Sequence, residues 1–250
     1  LDIVTHLDQT GFDSTIVLLK TGWLKEKLEE KGLSPILLDS HRSYDIGFLK
    51  RLCSTIRLHG ADLIHSHLPD ANAYSCLAGF WTGVPVLSTY HGMLPGAGEQ
   101  RFSDRAKFFL VRNIAKRSVA VSEALRRELI EKAHFPPDRV QRIYNGVEWE
   151  RFDRRFDAAV KKSLLKIAPD DKVVGMVANL KPTKGYEYFV RCCEILAKEF
   201  EKIKFLIIGE GTEEFNEKIT QEVRKRGLEN QVLFLGYRED IAELLQILDV

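Results

Sequence analysis

The chain has 250 residues, of which 44% are hydrophobic and 29% carry a charged side chain. That length and composition suffice for a buried core and for two medium-sized domains. The formal net charge is +1, so no strong overall field attracts nucleic acid, and no nucleic-acid partner is expected. No apolar run approaches the roughly 18–20 residues of a transmembrane helix, and the first residues do not resemble a signal peptide.

The cysteines also exclude some classes of protein. Cys53, Cys76, Cys192 and Cys193 form no C-x-x-C pair, so the sequence predicts neither a zinc site nor a thioredoxin-type site. Reduced, buried thiols are typical of cytosolic proteins, and we therefore expect a cytoplasmic protein.

In chain order, short β-branched apolar runs alternate with amphipathic runs. Strands are predicted at 14–19, 34–38, 61–67, 84–90, 118–122, 140–145, 173–180, 204–209 and 232–237. Helices are predicted at 1–8, 45–59, 101–117, 185–199, 212–226 and 240–247. In the last of these, Asp240 and Glu243 have the spacing of a capping box. The alternation predicts an α/β fold with parallel sheets covered on both faces.

A charged segment at 145–170 interrupts this alternation. It begins at the turn dipeptide Asn145-Gly146, and the β–α pattern restarts after Pro169. We therefore predict two Rossmann-like lobes, 1–147 and 148–250, that face a cleft. Both lobes are expected to be incomplete, because no strand precedes the first predicted helix and another strand is expected near the end of the chain.

Ligands of parallel α/β sheets bind beyond the carboxyl ends of the strands. The strongest candidate there is the turn KPTKG, which places Lys184 and Gly185 at the start of a helix. Helix N–H groups and the helix dipole favour an anion at that position, and a lysine adds a full positive charge. The turn therefore suits a diphosphate, although it is not a Walker A loop. The alternative is an ordinary solvated lysine in a βα turn.

Other strand ends carry glycine or histidine. The GEG loop at 209–211 suits either close approach of a ligand or a tight turn, and a full dinucleotide fingerprint is missing. His65 and His67 share a strand face, but no third ligand of suitable spacing follows, so no metal site is predicted. His91 ends its strand and is a candidate for ligand contact or catalysis, the alternative being a structural histidine.

The helix predicted at 101–117 has a basic face. Its cations fall within about 60° on a helical wheel, with Phe108 beside them; they are Arg101, Arg105, Arg112 and Lys116. This face suits an anionic lipid or an acidic acceptor, and so predicts peripheral contact with the inner face of a membrane. The alternative is an ordinary solvated face.

Seven longer segments occur in a fixed order along the chain. They are DLIHSHLPDANAYS, TYHG, VSEALRREL, IYNGVEWERF, VGMVANLKPTKGYEYF, LIIGEGTEEF and VLFLGYREDIAELL. In this order the chain resembles the family-four retaining glycosyltransferases of the GT-B fold (glycosyl transferases group 1) over nearly its whole length. The resemblance implies an acceptor-side lobe followed by a donor-binding lobe. It also implies transfer from a nucleoside diphosphate sugar to a saccharide or lipid-linked acceptor, with no cofactor or obligatory metal, in polysaccharide or glycolipid biosynthesis.

The resemblance implies roles for individual residues. Lys184 is similar to the family lysine that binds the donor diphosphate, and His91 to the histidine near the transferred sugar, so both are expected to act in catalysis. Donor-binding roles are implied in addition for Ser122, Asn145, Gly146, Asn179, Lys181, Gly185, Gly209 and Gly211.

Two departures from the family pattern bear on activity. Asn179 stands where the family usually has an arginine, and Lys181 is the nearby cation that could replace its charge. The acidic E-x-x-x-x-x-x-x-E motif and the N-terminal glycine-rich acceptor loop of the family are not in the sequence. We therefore expect these 250 residues alone to transfer no sugar. The alternatives are a nucleotide-sugar 2-epimerase-like enzyme and a degenerate, non-catalytic binding module.

Overall fold

The structure is a computed structural model that describes residues 1–39, 45–92 and 102–250 of the chain. Its internal contacts divide the chain into two compact units, Leu1–Gly146 and Val147–Val250. The strands within each sheet run parallel to one another, and helices connect them. The predicted α/β class is therefore confirmed.

The first unit contains a small and a larger parallel sheet. Its elements in the described residues are α1 (Asp2–His6), β1 (Val17–Leu18), α2 (Trp23–Glu30), β2 (Ile36–Leu37), α3 (Ile46–Leu58), β3 (Ile64–His67), α4 (Pro69–Thr82), β4 (Val86–Tyr90), α5 (Phe102–Ile114), β5 (Arg117–Ala120), α6 (Glu123–Glu131) and β6 (Val140–Arg142). Strands β3 to β6 are adjacent in chain order, whereas β1 and β2 pair with each other. The two short strands end well inside the predicted runs 14–19 and 34–38, since their ladder spans two residue pairs.

Apolar side chains of β4, α5 and α6 form the main core of this unit. Phe108 and Val111 on α5, and Ala115 directly after it, recur at helical spacing, and all three are buried. The Tyr90 and Phe135 rings meet edge to face in the same core, with their centroids 5.8 Å apart. The Phe108 ring, which the helical wheel places beside the basic residues, is thus buried in this core.

Buried polar side chains fix the turn between β3 and α4. Asn72, on the first turn of α4, is fully buried. Its Oδ1 accepts a hydrogen bond from Ser66 Oγ (2.8 Å), and its Nδ2 donates to the carbonyl oxygen of Thr89 (3.1 Å). Because Ser66 lies on β3 and Thr89 on β4, this amide joins the start of the helix to the ends of two strands.

The second unit contains one parallel sheet with the order β7-β8-β9. Its elements are α7 (Trp149–Asp153), α8 (Ala158–Leu164), β7 (Lys172–Val177), α9 (Tyr186–Glu199), β8 (Ile203–Ile208), α10 (Glu213–Lys225), β9 (Val232–Gly236) and α11 (Ile241–Gln246). Along β8, Phe205 and Ile207 pack with α9 and α10, while Leu206 and Ile208 pack with α11. Alternate side chains thus bury both faces of the sheet, as the sequence predicts.

The order of this sheet reverses at β7. After α11 the chain returns to the edge of β7 that β8 does not occupy. There the Asp249 amide donates to the carbonyl oxygen of Val173 (2.7 Å), and the Gly175 amide donates to that of Val250 (2.9 Å). In open α/β sheets, a crevice for ligands lies at the carboxyl ends of the strands where the order reverses. The turn that follows β7 is therefore a candidate ligand-binding site.

The capping box predicted at the start of α11 does not form, because the Asp240 side chain makes no capping hydrogen bond. Its carboxylate instead accepts hydrogen bonds from Arg238 Nε (2.7 Å) and from Lys161 Nζ, and Lys161 also bonds Glu243. The Arg238 guanidinium, and then the Lys161 ammonium, hold the pKa of Asp240 well below its usual range. Lys161 is only 9% exposed, so it needs both carboxylates as partners for its buried charge.

Two glycines allow the turns after β7 and β8 to touch. The Leu180 amide donates to the carbonyl oxygen of Glu210 (2.8 Å), which continues the ladder beyond the strands. A Cβ atom on Gly209 would lie 2.0 Å from the carbonyl oxygen of Ala178, and one on Gly211 would lie 2.2 Å from that of Leu180. Only hydrogen fits at these two positions, so the GEG loop serves main-chain packing whatever else it does.

We expect Gly209→Ala to lower the free energy of unfolding by about 3 kcal/mol, because its methyl group overlaps a carbonyl oxygen and its φ of +140° is strained. Gly227→Ala is the matched control, since Gly227 has a φ of +68° but no atom within 4 Å of an added Cβ. The control should cost about 1 kcal/mol. Urea denaturation of both variants measures the difference, and equal losses would contradict the assigned role of Gly209.

Candidate functional site

The KPTKG turn leaves β7 at the reversal point of the sheet. Pro182–Lys184 forms one turn of 3-10 helix, in which the Lys184 amide donates to the carbonyl oxygen of Lys181 (3.0 Å). Gly185, with a φ of +77°, is the N-cap of α9. Lys184 therefore stands directly before the N-cap, where the first N–H groups of the helix have no partner within it.

The lysines of this turn carry uncompensated charge. Lys181 and Lys184 are exposed, and neither side chain has a hydrogen bond or ion pair to any residue that the structure describes. The acidic residue in the first turn of α9, Glu187, is itself bound by Lys218 Nζ at 2.6 Å. Two free ammonium groups at a helix N-terminus form a site that favours an anion.

A shallow depression of about 430 Å³ adjoins this turn. Asn179 and Lys181 line it from the turn after β7, and Glu210 and Thr212 line it from the turn after β8. Lys184 is outside the depression. The lining of the depression thus includes one acidic and one basic side chain, Glu210 and Lys181.

In the first unit, three histidine rings meet at the ends of β3 and β4. His67 Nδ1 lies 2.9 Å from His91 Nε2, and the two rings stack with centroids 5.2 Å apart. His65 packs against His67 with a centroid distance of 4.4 Å, and its Nε2 lies 2.9 Å from Thr89 Oγ1. The parallel register pairs His67 with Thr89. The ring of His91, two residues after Thr89, therefore lies beside the ring of His67.

This cluster is uncharged at His67. Desolvation, together with the neighbouring His65 and His91 rings, lowers the pKa of His67 from 6.5 to about 4. Desolvation and His91 also lower the pKa of His65. At neutral pH the short contact between His67 and His91 therefore joins one N–H group to one lone pair. In the described ranges no group of three or more His, Cys, Asp or Glu side chains is arranged to hold a metal ion.

The remaining residues with expected donor roles lie in two places. Ser122 is the N-cap of α6, where its Oγ accepts a hydrogen bond from the Leu125 amide (3.1 Å), so its own proton is still available to a ligand. Asn145 and Gly146 are exposed at the boundary of the two units. The hydroxyl of Ser122 is thus partly committed to the helix, whereas Asn145 is accessible.

The basic face of α5 is less uniform than the helical wheel suggests. Arg101 lies outside the described residues, and Arg105 is exposed without a partner among them. Arg112 Nη1 donates to the carbonyl oxygen of Ala133 (3.0 Å), and its guanidinium lies 5.1 Å from the centre of the Phe109 ring. Arg112 therefore contributes to the packing of the unit as well as to its surface charge.

Lys116 lies apart from the other cations of this face. It follows α5, and its amide donates to the carbonyl oxygen of Val86, the first residue of β4 (2.8 Å). Because His91 follows the last residue of β4, Lys116 and His91 lie near opposite ends of this strand. The face therefore runs along the helix and does not converge on one point.

A groove of about 710 Å³ runs beside α5. Arg105 and Arg112 line it together with apolar side chains that include Leu77 and Phe109. Lys107 lines it too, but its ammonium is paired with Asp70 at 2.5 Å. No helix in the described part of the chain is long and apolar enough to cross a membrane.

The structure resembles solved glycosyltransferases. It aligns over 94% of its length with Anabaena HepE, which was solved in complexes with UDP and with UDP-glucose, at a TM-score of 0.82 and 23% identity, and covers 64% of that chain. Together with the two parallel-sheet units, this shows that the chain has the GT-B fold. Residues 1–151 match the model of Glycosyltransferase Family 4, and residues 159–250 match that of Glycosyl transferases group 1. The chain belongs to Glycosyltransferase Family 4.

Two curated relatives extend the comparison. The putative glycosyltransferase EpsF of Bacillus subtilis is 25% identical over 84% of the chain and 56% of its own length. The UDP-Gal:alpha-D-GlcNAc-diphosphoundecaprenol alpha-1,3-galactosyltransferase of Escherichia coli is 24% identical over 98% of the chain and 66% of its own length. The chain thus spans between about half and two thirds of these relatives.

Sequence reasoning missed some residues of these sites. It placed His67 only beside His65, whereas the structure pairs it with His91. It also gave Glu210 no role of its own within the GEG loop and did not name Thr212, although both line the depression. The histidine pair depends on the register of β3 against β4, which the spacing of His67 and His91 along the sequence does not give.

The lowered pKa of His67 predicts acid sensitivity. Between about pH 6.5 and 4 the unfolded chain binds a proton at His67 more readily than the folded chain, so stability falls as the pH falls through this window. From about pH 7 to about pH 4.5 we expect the unfolding temperature of the wild type to drop by about 5–10 °C more than that of His67→Asn, which cannot titrate. Thermal melts at both pH values test this, and parallel shifts in the two proteins would argue against it.

Proposed function

We propose that the protein transfers a sugar from a nucleoside diphosphate sugar to a saccharide or lipid-linked acceptor, with retention of configuration. The observation that carries this proposal is the pair of free cations, Lys181 and Lys184, before the N-terminus of α9 at the reversal point of its sheet. The donor class is taken from HepE, solved with UDP-glucose, and from the name of the Escherichia coli relative, which also supplies the lipid-linked acceptor class.

The transferred group leaves a diphosphate on which negative charge builds in the transition state. An ammonium and helix N–H groups already in place stabilise that charge without reorganising, which makes them the main catalytic device of the proposed reaction. Lys184 supplies the principal cation, because it stands directly before the N-cap of α9, whereas Lys181 lines a depression that also contains Glu210. Lys181 replaces part of the charge that an arginine at Asn179 would bring.

Each unit then has its own task in the proposed reaction. Residues 148–250 bind the donor, with Gly185 opening α9 toward the diphosphate and Gly209 and Gly211 holding the two turns together. Residues 1–147 serve the acceptor side and carry His91, which contacts the transferred sugar.

The depression beside Lys181 suits hydroxyl groups. The Glu210 carboxylate there can only accept hydrogen bonds when ionised and repels phosphate, whereas sugar and ribose hydroxyls are donors. The Thr212 Oγ1 already accepts a hydrogen bond from the Phe215 amide (3.3 Å), so it is placed to donate to a ligand. We therefore assign the depression to the uncharged parts of the donor.

A screen of nucleotide sugars for nucleotide release, with product analysis, tests the function on the gene product that carries this chain. Glycosylated acceptor and free nucleotide support transfer. An epimerised nucleotide sugar without acceptor would support the 2-epimerase alternative. Binding of nucleotide without turnover of any donor would support the non-catalytic module.

The helix α5 is the element proposed to contact an anionic membrane or a lipid-linked acceptor, since Arg105 is free and Phe102 and Phe109 are 87% and 60% exposed. We expect binding to vesicles with anionic lipids at low salt and its loss at high salt. Arg105→Ser should weaken vesicle sedimentation, whereas the matched control Lys225→Ser, at an exposed lysine of the second unit, should not. Equal effects of both substitutions, or no binding at low salt, would contradict this surface.

We expect Lys184→Ala to lower transfer on the order of a hundredfold or more, the scale of losing one preorganised donor to the transition state. Lys184→Arg should recover part of the activity, because a planar guanidinium differs from a compact ammonium. Lys181→Ala is the matched control, with a smaller loss. Steady-state transfer and thermal melts measure these effects, and the melts should coincide since the exposed lysine has no partner. Near-normal transfer by Lys184→Ala, with a large loss in Lys181→Ala, would move the role to Lys181.

A further inference from the structure

The stacked pair of His67 and His91 is the least expected feature of the first unit. Of these two histidines, the family resemblance implies a role for His91 alone. The ring of His91 lies beyond the end of β4 and is exposed to solvent. In the described residues its one hydrogen-bond partner is His67, at 2.9 Å from Nε2, and its Nδ1 has none. The direction of this hydrogen bond therefore determines whether the Nδ1 of His91 donates to a ligand or accepts from it.

We propose that His67 is a positioning residue, whose Nδ1 accepts a hydrogen bond from His91 Nε2–H and so leaves the His91 Nδ1 lone pair free to accept one from a hydroxyl of the transferred sugar. The sugar contact rests on the proposed function, whereas the pairing of the two rings does not. The hydrogen bond made by one nitrogen of an imidazole sets the proton state of the other.

The direction of the hydrogen bond follows from the tautomers of neutral imidazole. The side chain of histidine in water favours the Nε2–H tautomer. If His91 donates from Nε2, both rings keep that favoured tautomer. The reverse direction needs the less stable Nδ1–H tautomer in His67 and in His91 at once. The lowered pKa of His67, about 4, keeps its ring neutral at neutral pH, so one of its two nitrogens carries no proton and can accept a hydrogen bond.

His67 is held more firmly than His91, as a positioning residue must be. The residue after it, Leu68, has a φ of +75°, and its amide donates to the carbonyl oxygen of Thr89 (3.3 Å). The same carbonyl oxygen accepts from the buried Asn72 amide (3.1 Å). The His65 ring packs on the side of His67, with centroids 4.4 Å apart. The strand end thus fixes the ring that orients the exposed one.

The first test measures the tautomer directly. Long-range ¹H–¹⁵N spectra of the histidine-labelled chain at neutral pH should show His91 protonated at Nε2 and unprotonated at Nδ1. His67→Phe keeps a ring but removes the acceptor, and should give His91 the mixed signal of a free imidazole. His67→Asn can place its Oδ1 near the position of Nδ1, and should restore the wild-type signal. His59 and His134, elsewhere in the unit, serve as internal references.

A wild-type His91 protonated at Nδ1, or a His91 signal unchanged in His67→Phe, would overturn the proposal. The wild-type spectrum decides this point even where a variant folds poorly. If the tautomer is as proposed but no donor is turned over, the pairing stands and the transfer function fails.

The second test is a double-mutant cycle on the gene product that carries the chain. His67→Phe should raise the KM for the donor and lower kcat/KM about tenfold, the scale of one hydrogen bond, with His67→Asn recovering most of it. In a His91→Phe background, His67→Phe should have no further effect, because it acts through His91. Additive losses, or a fall in kcat with KM unchanged, would show a merely structural role and overturn the proposal.

Discussion

The main chain at 178–180 lies against the main chain at 209–211 with no space for a side chain between them, and the geometry of the second unit depends on this contact. The Leu180 amide donates to the Glu210 carbonyl oxygen, so hydrogen bonding continues beyond the last paired residues of β7 and β8. The turns that lead into α9 and α10 are thereby held side by side. A lysine-bearing helix start and a threonine-capped helix start consequently share one edge of the sheet.

Local patterns predicted most of the fold. Apolar side chains recur with a period of about 2 residues in strands and about 3.6 in helices, so both can be predicted from the local sequence alone. The errors arose where a distant partner decides the outcome. Asp240 has the spacing of a capping residue, yet its carboxylate binds Lys161, 79 positions earlier, because a nearly buried ammonium needs it more than a helix end does. Phe108 lies beside the basic residues on the helical wheel, and only the packing of α5 on its sheet shows that its ring is buried.

The candidate sites also differ in whether they depend on local sequence or on distant residues. The lysine turn could be found from sequence because its chemistry is contiguous: a strand, a short turn with two lysines, and a glycine that begins a helix. The histidine pair could not be found from spacing alone. It depends on the register of β3 against β4, which sets His67 beside Thr89 and so brings His91 within hydrogen-bond distance. The charge around Lys181 likewise depends on Glu210, which comes from another βα turn.

The lysine turn and the histidine cluster differ in charge, and this difference fits the two parts of the proposed donor, a sugar nucleotide. The diphosphate is anionic and becomes more so as its bond to the sugar breaks, so exposed and uncompensated lysines stabilise it. The sugar is uncharged and gains positive charge at its anomeric carbon in the same step, so a cation beside it would oppose the reaction. In the proposed reaction, a histidine cluster in which desolvation keeps His67 neutral would avoid that repulsion and still offer a lone pair to a hydroxyl. The lowered pKa of His67 is thus consistent with the proposed chemistry, and it is the opposite of what binding a phosphate would require.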